Sequence, residues 1–580
     1  MNMLIVHTRS VITVMSRIAI GIQDFESLRE NQWFYVDKTR FIREWWNEAD
    51  TVTVITRPRR FGKTLNMSML NCFFSNRYAN RGELFEGLEV WKDADMRELQ
   101  GKWPVIFLSF ANVKMTTWEL TRKSINQLLA NLYNQYHWLL KEDIYTDADR
   151  SFFQKVNDSM PDNVAAFSLN MLCEWLMRFY GKKVLIFLDE YDTPLQEAYI
   201  NGFWDETVAY IRALFNSTFK TNPSLLRGIL TGITRVSKES IFSDLNNLEV
   251  VTTTSDKYAA CFGFTEDEVF QVLEERNFTE KDKQNVKRWY DGFTFGSVTD
   301  IYNPWSIVNV LDKRKLDVYW ANTSSNSLVG KLLRTGNPEI KNLFEKLLKK
   351  ETISVPVEEQ IVYHQLDTNP AALWSLLLAS GYLKVVHAPS YSSDDESFSD
   401  SLYTLALTNY EVQRMFHTMV KDWFAMANGL SRFTQTMLQG NVKDMNRYLN
   451  NIMLDCMSSF DGGKQSSVRL PENFYHGLVL GLLAENTKDY IIKSNRESGF
   501  GRYDVVLEPK DAQNTAVILE FKVFDALDEE KSLEDTAKNA LNQIDEMRYD
   551  ADLLSRGIPA DRILKYGLAF SGKKCLIRKG

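Results

Sequence analysis

A chain of 580 residues exceeds what a single hydrophobic core organises, and 44% hydrophobic with 25% charged residues is the make-up of folded domains, which excludes a disordered polymer. The net charge of -8 excludes attraction to nucleic acid through whole-molecule charge, so any such contact needs a local basic surface. Five scattered cysteines (Cys72, Cys173, Cys261, Cys456 and Cys575) include no CxxC pair, which leaves neither a disulfide framework nor a zinc pattern and points to a reducing cytoplasm.

The opening stretch "MNMLIVHTRSVITVMSRIAIGI" is apolar but interrupted by Arg9 and Arg17. It lacks the unbroken apolar core and small-residue cleavage site of a signal peptide, and it is too broken to span a bilayer. Met15 is an alternative start. Residues 1–20 are read as an N-terminal extension of a cytoplasmic protein with no membrane partner.

From there, strand-like and helix-like runs alternate. "TVTVIT" (51–56), "WPVIFLSF" (103–110), "KKVLIFLDE" (182–190) and "LLRGILTGIT" (225–234) read as short buried strands. Helical runs at 64–74, 116–140 and 165–180 separate them. Such alternation predicts an α/β domain over 21–260, a parallel sheet with helices on both faces. "TEDEVFQVLEE" (265–275) opens with Thr265 and an acidic first turn, and starts a region expected to be mainly helical over 261–387. "APSYSSDDESFSDS" places a linker at 388–401. A helical connector at 402–469 then leads to a last domain at 470–580. There "YDVVLEP" (503–509) and "AVILEFKVF" (516–524) read as strands, and a helix follows at 533–548.

Two clusters carry chemistry. The first is "RPRRFGKT" (57–64), where Gly62, Lys63 and Thr64 complete the second half of a P-loop but Arg57 replaces its first glycine. Backbone N–H groups at a helix start can hold phosphate, a lysine adds charge and a hydroxyl holds Mg2+. The order strand, loop, helix is the context this requires, so Arg57, Pro58, Arg59, Arg60, Phe61, Gly62, Lys63 and Thr64 form the candidate nucleotide loop. A basic strand-to-helix turn is the plain alternative. The apolar run Val184–Leu188 delivers Asp189 and Glu190 to a carboxyl strand end, where parallel sheets bind ligands. Asp189 there can hold Mg2+ and Glu190 can act on the attacking water, or the two acids simply cap a strand before the "DTP" turn. Thr231, Thr234 and Arg235 end a further strand, as γ-phosphate contacts or simply as a polar strand end. Tyr290, Asp291, Gly292, Asn303 and Pro304, in the turn-rich "YDGF" and "YNPW" stretches, are read as structural.

The second cluster is Asp504, Glu520 and Lys522. Residues i and i+2 of a strand share a face, so Glu520 and Lys522 project together while Leu519 and Phe521 turn into the core. An antiparallel hairpin would set Asp504 beside Glu520, and two close carboxylates favour a divalent cation between them. Lys522 would then stabilise charge on a pentavalent phosphate, the requirement of phosphodiester hydrolysis. A surface Glu520–Lys522 ion pair is the plain alternative. Lys493, Arg496 and Arg502 are basic residues nearby that can receive phosphates, though a solvated strand edge explains them as well.

"YVDKTRFI" (35–42), "RPRRFGKTLNMSML", "FLDEYDTP", "GILTGITRVSKESIFSDLNNLEV", "YDGFTFG" and "YNPWSI" together resemble the AAA-ATPase-like family of bacterial P-loop proteins over roughly the first 310 residues. The resemblance implies that an arginine at position 57 is the family's usual form, that Lys63 and Thr64 contact phosphate and Mg2+, and that Asp189 and Glu190 serve metal and water. Asp37, Lys38 and Thr39 match as well, with packing near the nucleotide as their one suggested role. Residues 470–575 resemble the PD-(D/E)xK nuclease superfamily, a restriction-endonuclease-like α/β fold, with Tyr503 where a proline often stands before Asp504. That resemblance places Asp504, Glu520 and Lys522 on catalytic positions, adds Glu485 as a further metal ligand, and gives Gln543 as a contact to the nucleic-acid backbone. Together the two imply an ATP-binding, Mg2+-dependent ATPase joined to a nuclease-like domain acting on nucleic acid, DNA ahead of RNA, with oligomerisation left open. The competing reading is a nucleotide-dependent switch or scaffold whose C-terminal fold binds a partner without cutting.

Overall fold

The structure is a computed structural model that describes residues 16–143, 145–234, 241–242, 245–321, 327–335, 338–358, 366, 369–389, 402–425, 430–458, 475, 479, 483, 489–498, 501–524, 530–572 and 574–580. It divides into two compact units, Met1–Ser325 with Ser354–Val412, and Asn326–Ile353 with Gln413–Gly580. No helix among the described residues is long and apolar enough to cross a membrane.

The first unit is built on five parallel strands, β1 (Val52–Thr56), β2 (Val105–Ser109), β3 (Val184–Asp189), β4 (Leu225–Gly232) and β5 (Leu248–Val251), in the order β2-β3-β4-β1-β5. β1 and β3 are buried along their whole length. That is why they read as unbroken apolar runs: a parallel sheet covered on both faces has no solvent side to mark by alternation. Between them run the helices Lys63–Phe74, Trp118–Gln135 and Asp162–Tyr180. Because β4 lies between β1 and β3, the loop after β1 and the acidic end of β3 face each other across one intervening strand end.

The region expected to be mainly helical contains two small sheets. One has β6 (Phe264–Thr265), β7 (Phe293–Phe295) and β8 (Val298–Tyr302) in the order β6-β8-β7. The other orders β9 (Ile353–Pro356), β10 (Leu383–His387) and β11 (Leu402–Leu407) as β10-β11-β9. Strands this short offer too few positions for a period of two to show. The helix predicted from Thr265 is present as Glu266–Glu275, closed by a reciprocal capping box between Thr265 and Glu268. The stretch expected as a linker, 388–401, lies mostly outside the described residues, yet β10 and β11 on either side of it pair antiparallel, with Leu383 opposite Leu407. It joins two strands of one sheet within the first unit, so the chain does not change unit there.

The second unit centres on β12 (Tyr490–Ser498), β13 (Gly501–Pro509), β14 (Ala516–Val523), β15 (Ile563–Ser571) and β16 (Lys574–Lys579), hydrogen-bonded in that order. Only the β14–β15 pair is parallel, and the helix Leu533–Glu546 makes that crossover. One face of the sheet packs Val505, Leu519, Phe521, Leu568 and Phe570 against Tyr475, Val479 and Leu483, and against Phe433, Met437, Leu449 and Met453. The last four come from the helices Leu430–Leu438 and Val442–Ser458 in the stretch expected to be a connector, and these two helices belong to this core. The opposite face buries Val506, Ile518 and Ile563 beneath Ile544 and Leu553. The free edge of β16 is satisfied by the helix Val442–Ser458. Asn446 exchanges hydrogen bonds with Ile577 N and O (2.8 and 2.9 Å), and Asn450 does the same with Cys575 (3.0 and 2.7 Å). Two amides one helical turn apart thus stand in for a missing strand and close the edge to pairing with other chains.

Candidate functional site

The loop after β1 is shaped by two left-handed residues, Arg60 (φ 65°) and Gly62 (φ 80°). Gly62 takes this conformation without a Cβ penalty and is the N-cap of the helix Lys63–Phe74, so the helix start opens onto the loop. The Lys63 ammonium donates to the carbonyls of Arg57 and Pro58, 2.9 Å each. Burial lowers its pKa, opposed by the nearby Glu190, Asp192 and Asp189. From β3, 125 residues on, Asp189 accepts from the Thr64 hydroxyl at 2.8 Å and from Thr231 of β4 at 2.6 Å. Burial pushes the Asp189 carboxyl above its ordinary value, and these two bonds offset only part of the rise. Ser109, at the end of β2, approaches the same carboxylate at 3.4 Å. Glu190 follows with φ 51°, a left-handed setting that costs a non-glycine residue energy and is found where a site needs it. A cavity of about 410 Å³ is lined by Arg59, Arg60, Lys63, Thr64 and Glu190 on one side and by Tyr35 and Lys38 on another.

The sequence reading needs one correction here. Arg57 does not turn toward the cavity. Its guanidinium is fully buried, donates to the carbonyls of Thr56, Thr252 and Lys257, and lies over the rings of Phe295 (4.5 Å) and Phe262 (5.7 Å). With no carboxylate beside it, burial lowers its pKa to about 9. It ties the end of β1 to the segment after β5 and is not a phosphate contact through its side chain. Phe61 is likewise a core residue, edge-on to Phe293 (4.8 Å) and Phe295 (5.3 Å). Arg59 bonds Gln196 at 3.1 Å, and Arg60 lies over the Trp305 ring at 4.4 Å. Arg235 lies outside the described residues.

The motifs read as structural hold the loop in place. Asn303 and the Trp320 indole both donate to the Arg59 carbonyl, at 3.2 and 2.9 Å. The Pro58 ring packs so closely on Gly381 that a Cβ there would meet it at 2.8 Å. Trp320 is fixed in turn by the buried carboxylate of Glu411, which accepts from Trp320 N, Tyr319 N (2.6 Å each) and the Ser306 hydroxyl (2.8 Å). Asp192 is a further residue the sequence reading passed over: buried, it accepts from Ile233 N, Thr234 N and the Thr234 hydroxyl, and so shapes the turn after β4. Its place two residues after Glu190 in "DEYD" was the available signal. Asp37 bonds Thr39 and Glu89 N, and Lys38 pairs with Glu268 at 2.7 Å, so this motif braces one wall of the cavity.

In the second unit the register of β13 and β14 pairs Val505 with Leu519, which sets Asp504 opposite Glu520 one position on. Both lie on the face carrying Val506 and Ile518, and Lys522 shares it by alternation. Asp504 accepts from Phe521 N at 2.8 Å, so its side chain extends the ladder where the backbone pairing ends. Glu520 is 3% exposed and accepts from Gln543 of the helix Leu533–Glu546, whose amide also reaches the Tyr549 hydroxyl at 3.1 Å. The helix comes this near because Gly567, beside Glu520 on β15, has no side chain; a Cβ there would lie 2.3 Å from Ala537 O. Gln543 therefore touches an acidic residue of the cluster, and Tyr549 joins the group unannounced by any spacing. Lys493, expected as a phosphate contact, is instead buried and paired with Glu508. Glu485 and the Arg496 and Arg502 side chains lie outside what the structure describes.

Comparison with known proteins matches each unit to a different family. Residues 19–242 match the family described as "Predicted AAA-ATPase", and residues 470–580 match the PD-(D/E)XK nuclease superfamily. A protein of Azotobacter chroococcum mcd 1, described as "Uncharacterized protein in vnfD 5'region", is 29% identical over 322 residues. The match takes in 55% of this chain and 56% of the relative, so the chain spans about half the length of the curated relative it matches.

Proposed function

With an AAA-ATPase-like domain at 19–242 and a PD-(D/E)XK nuclease superfamily domain at 470–580 as the premise, we propose an ATP-dependent, Mg2+-requiring nuclease acting on nucleic acid, DNA ahead of RNA. The observation that carries the reading is the convergence of Asp504, Glu520 and Lys522 on one sheet face in a chain whose other unit offers a phosphate loop. In that loop, Gly62 and the helix start behind it receive phosphate oxygens by N–H donation. Lys63, freed from the Arg57 and Pro58 carbonyls, transfers its charge to phosphate, and Glu190 orients or deprotonates water. A hydroxyl with a carboxylate (Thr64, Asp189) and a carboxylate pair (Asp504, Glu520) are hard-oxygen donor sets that fit Mg2+, whose charge would offset that of phosphate at each site. Lys522 supplies the positive charge for the phosphodiester in its transition state.

A second reading, a nucleotide-driven scaffold whose C-terminal fold does not cut, is favoured by the burial of Glu520 and its bond to Gln543. One comparison separates the two. Wild type is expected to cleave DNA with Mg2+ and ATP, and Glu520→Ala to lose cleavage while keeping ATP binding. A wild type that cuts neither DNA nor RNA, with or without ATP, refutes the nuclease reading and leaves the scaffold.

A further inference from the structure

At the amino-terminal end of the parallel sheet, opposite the end that carries the phosphate loop, lies a second cavity of about 370 Å³. Its floor is Val105, the first residue of β2, whose carbonyl accepts from Tyr136 at 3.1 Å. Trp138 and Tyr180 wall it, 37% and 38% exposed. Phe179 bridges them at the surface, its ring 4.9 Å from Trp138 and 4.8 Å from Tyr180. Isolated exposed aromatics are ordinary, but three in contact beside a cavity are not.

The remaining lining is polar. Arg77 lies over the Tyr136 ring at 4.9 Å and donates to Gln135 Oε1 at 3.1 Å, which fixes its guanidinium at the mouth. The side-chain amide of half-buried Asn76 and the Nε2 of exposed Gln135 make no hydrogen bond among the described residues and are open to solvent beside the cavity. The chain neighbours of the lining are cationic: Lys182, two residues after Tyr180, lies over the Trp103 ring at 5.4 Å and donates to Lys102 O at 3.2 Å, and Lys102, two residues before Pro104, and Lys183 are exposed. In a chain of net charge -8 this is a local basic surface of the kind that contact with nucleic acid requires.

We propose that this cavity receives an unstacked base of single-stranded nucleic acid. Trp138 and Tyr180 stack on the ring, Asn76 and Gln135 meet its edge, and Arg77, Lys102, Lys182 and Lys183 take the flanking phosphates. Aromatic faces with a cationic border are the means by which single strands are held without regard to sequence. The proposal rests on the nucleic-acid side of the function given above, but not on cleavage.

The test is binding of a fluorescein-labelled 20-nucleotide single strand to the full chain in EDTA, read by anisotropy at several salt concentrations. Trp138→Ala with Tyr180→Ala is expected to weaken binding by about tenfold or more, within the roughly 5- to 150-fold that loss of one base stack produces. Trp138→Phe, which keeps a stacking face, should restore most of it. Arg77→Ala should reduce the magnitude of the salt slope by about 0.7, the share of one phosphate contact on a single strand. The Mg-ATP melting shift of each variant shows that the unit is still folded. Equal affinity of wild type and double variant overturns the proposal, even if wild type cleaves and the nuclease reading stands. Failure of wild type to bind any oligonucleotide at low salt, or capture of peptides in its place, overturns it too. Binding that depends on the two aromatics in a protein that never cleaves supports the cavity and removes the nuclease reading alone.

Discussion

The two clusters are assembled in opposite ways. In the second unit, Asp504 and Glu520 are brought together by neighbouring strands of one sheet, and a single crossover helix adds Gln543. In the first, Thr64 and Asp189 meet across 125 residues, and the loop that precedes Thr64 is held by Asn303, Trp320 and Gly381 from far downstream. A locally built site stands or falls with its own sheet. A site assembled from distant segments can be tuned from them, because each brace is a separate hydrogen bond or contact that can be made or lost. The P-loop is therefore expected to respond to changes that touch no nucleotide, and the carboxylate site is not.

The largest expected effects test whether the two sites are separate. A ligand at about 100 times its dissociation constant adds about 2.7 kcal/mol to native stability, so Mg-ATP should raise the melting temperature of wild type and of Glu520→Ala alike. Lys63→Ala should abolish that shift. A shift that vanished in Glu520→Ala as well would break the separation. Next in size is Arg57→Ala. It strips donors from the buried carbonyls of Thr56 and Thr252, each worth about 1–3 kcal/mol when left unsatisfied, and from the part-buried carbonyl of Lys257, so a stability loss on the order of 3 kcal/mol is expected in chemical denaturation. The ATP affinity of the folded fraction should fall only by the severalfold that a lost brace costs the loop, because the guanidinium itself touches no phosphate. A large loss of affinity with unchanged stability would return Arg57 to the phosphate site.

The same contrast explains what could be read from the sequence. Asp504, Glu520 and Lys522 were legible because strand alternation and a short hairpin suffice to place them. Asp189 was legible because five apolar residues in a row announce a buried strand with an acid at its end. Arg57 was misjudged because its charge and its neighbours point to phosphate. Only the fold shows Phe262, Phe295 and three carbonyls waiting for it. Asn303 and Trp320 carry no local sign of their task either, because the carbonyl they hold belongs to Arg59, 244 and 261 residues away. Tyr549 and Gly567 were missed for the same reason: each matters through a helix-to-sheet approach that no spacing along the chain records.

A smaller effect measures the bracing directly. Trp320→Phe keeps an aromatic ring but removes one donor from the Arg59 carbonyl, a change worth about 1 kcal/mol, or about fivefold in ATP affinity. Nucleic-acid cleavage measured at saturating ATP should not change. An unaltered affinity would show that the loop holds its shape without this bond.

The mildest expected effect lies behind that brace, in Glu411. Burial pushes its carboxyl up to about 7 from 4.5, although Ser306 and the backbone N–H groups of Tyr319, Trp320 and Ala321 pull the other way. The folded state thus binds the proton more tightly than the unfolded state. Its contribution to stability is complete below a pH of about 4.5 and is lost as pH rises through about 7. Glu411→Gln keeps an acceptor for Trp320 N but cannot ionise. Its urea midpoint should therefore change less than that of wild type between pH of about 5 and 8. The braces also bear on the nucleotide, so wild-type ATP affinity should drift across the same window and the variant's should not. Parallel curves for the two proteins would mean that Glu411 stays charged throughout, paired well enough with its N–H donors to outweigh its burial, and the P-loop would then be braced independently of pH.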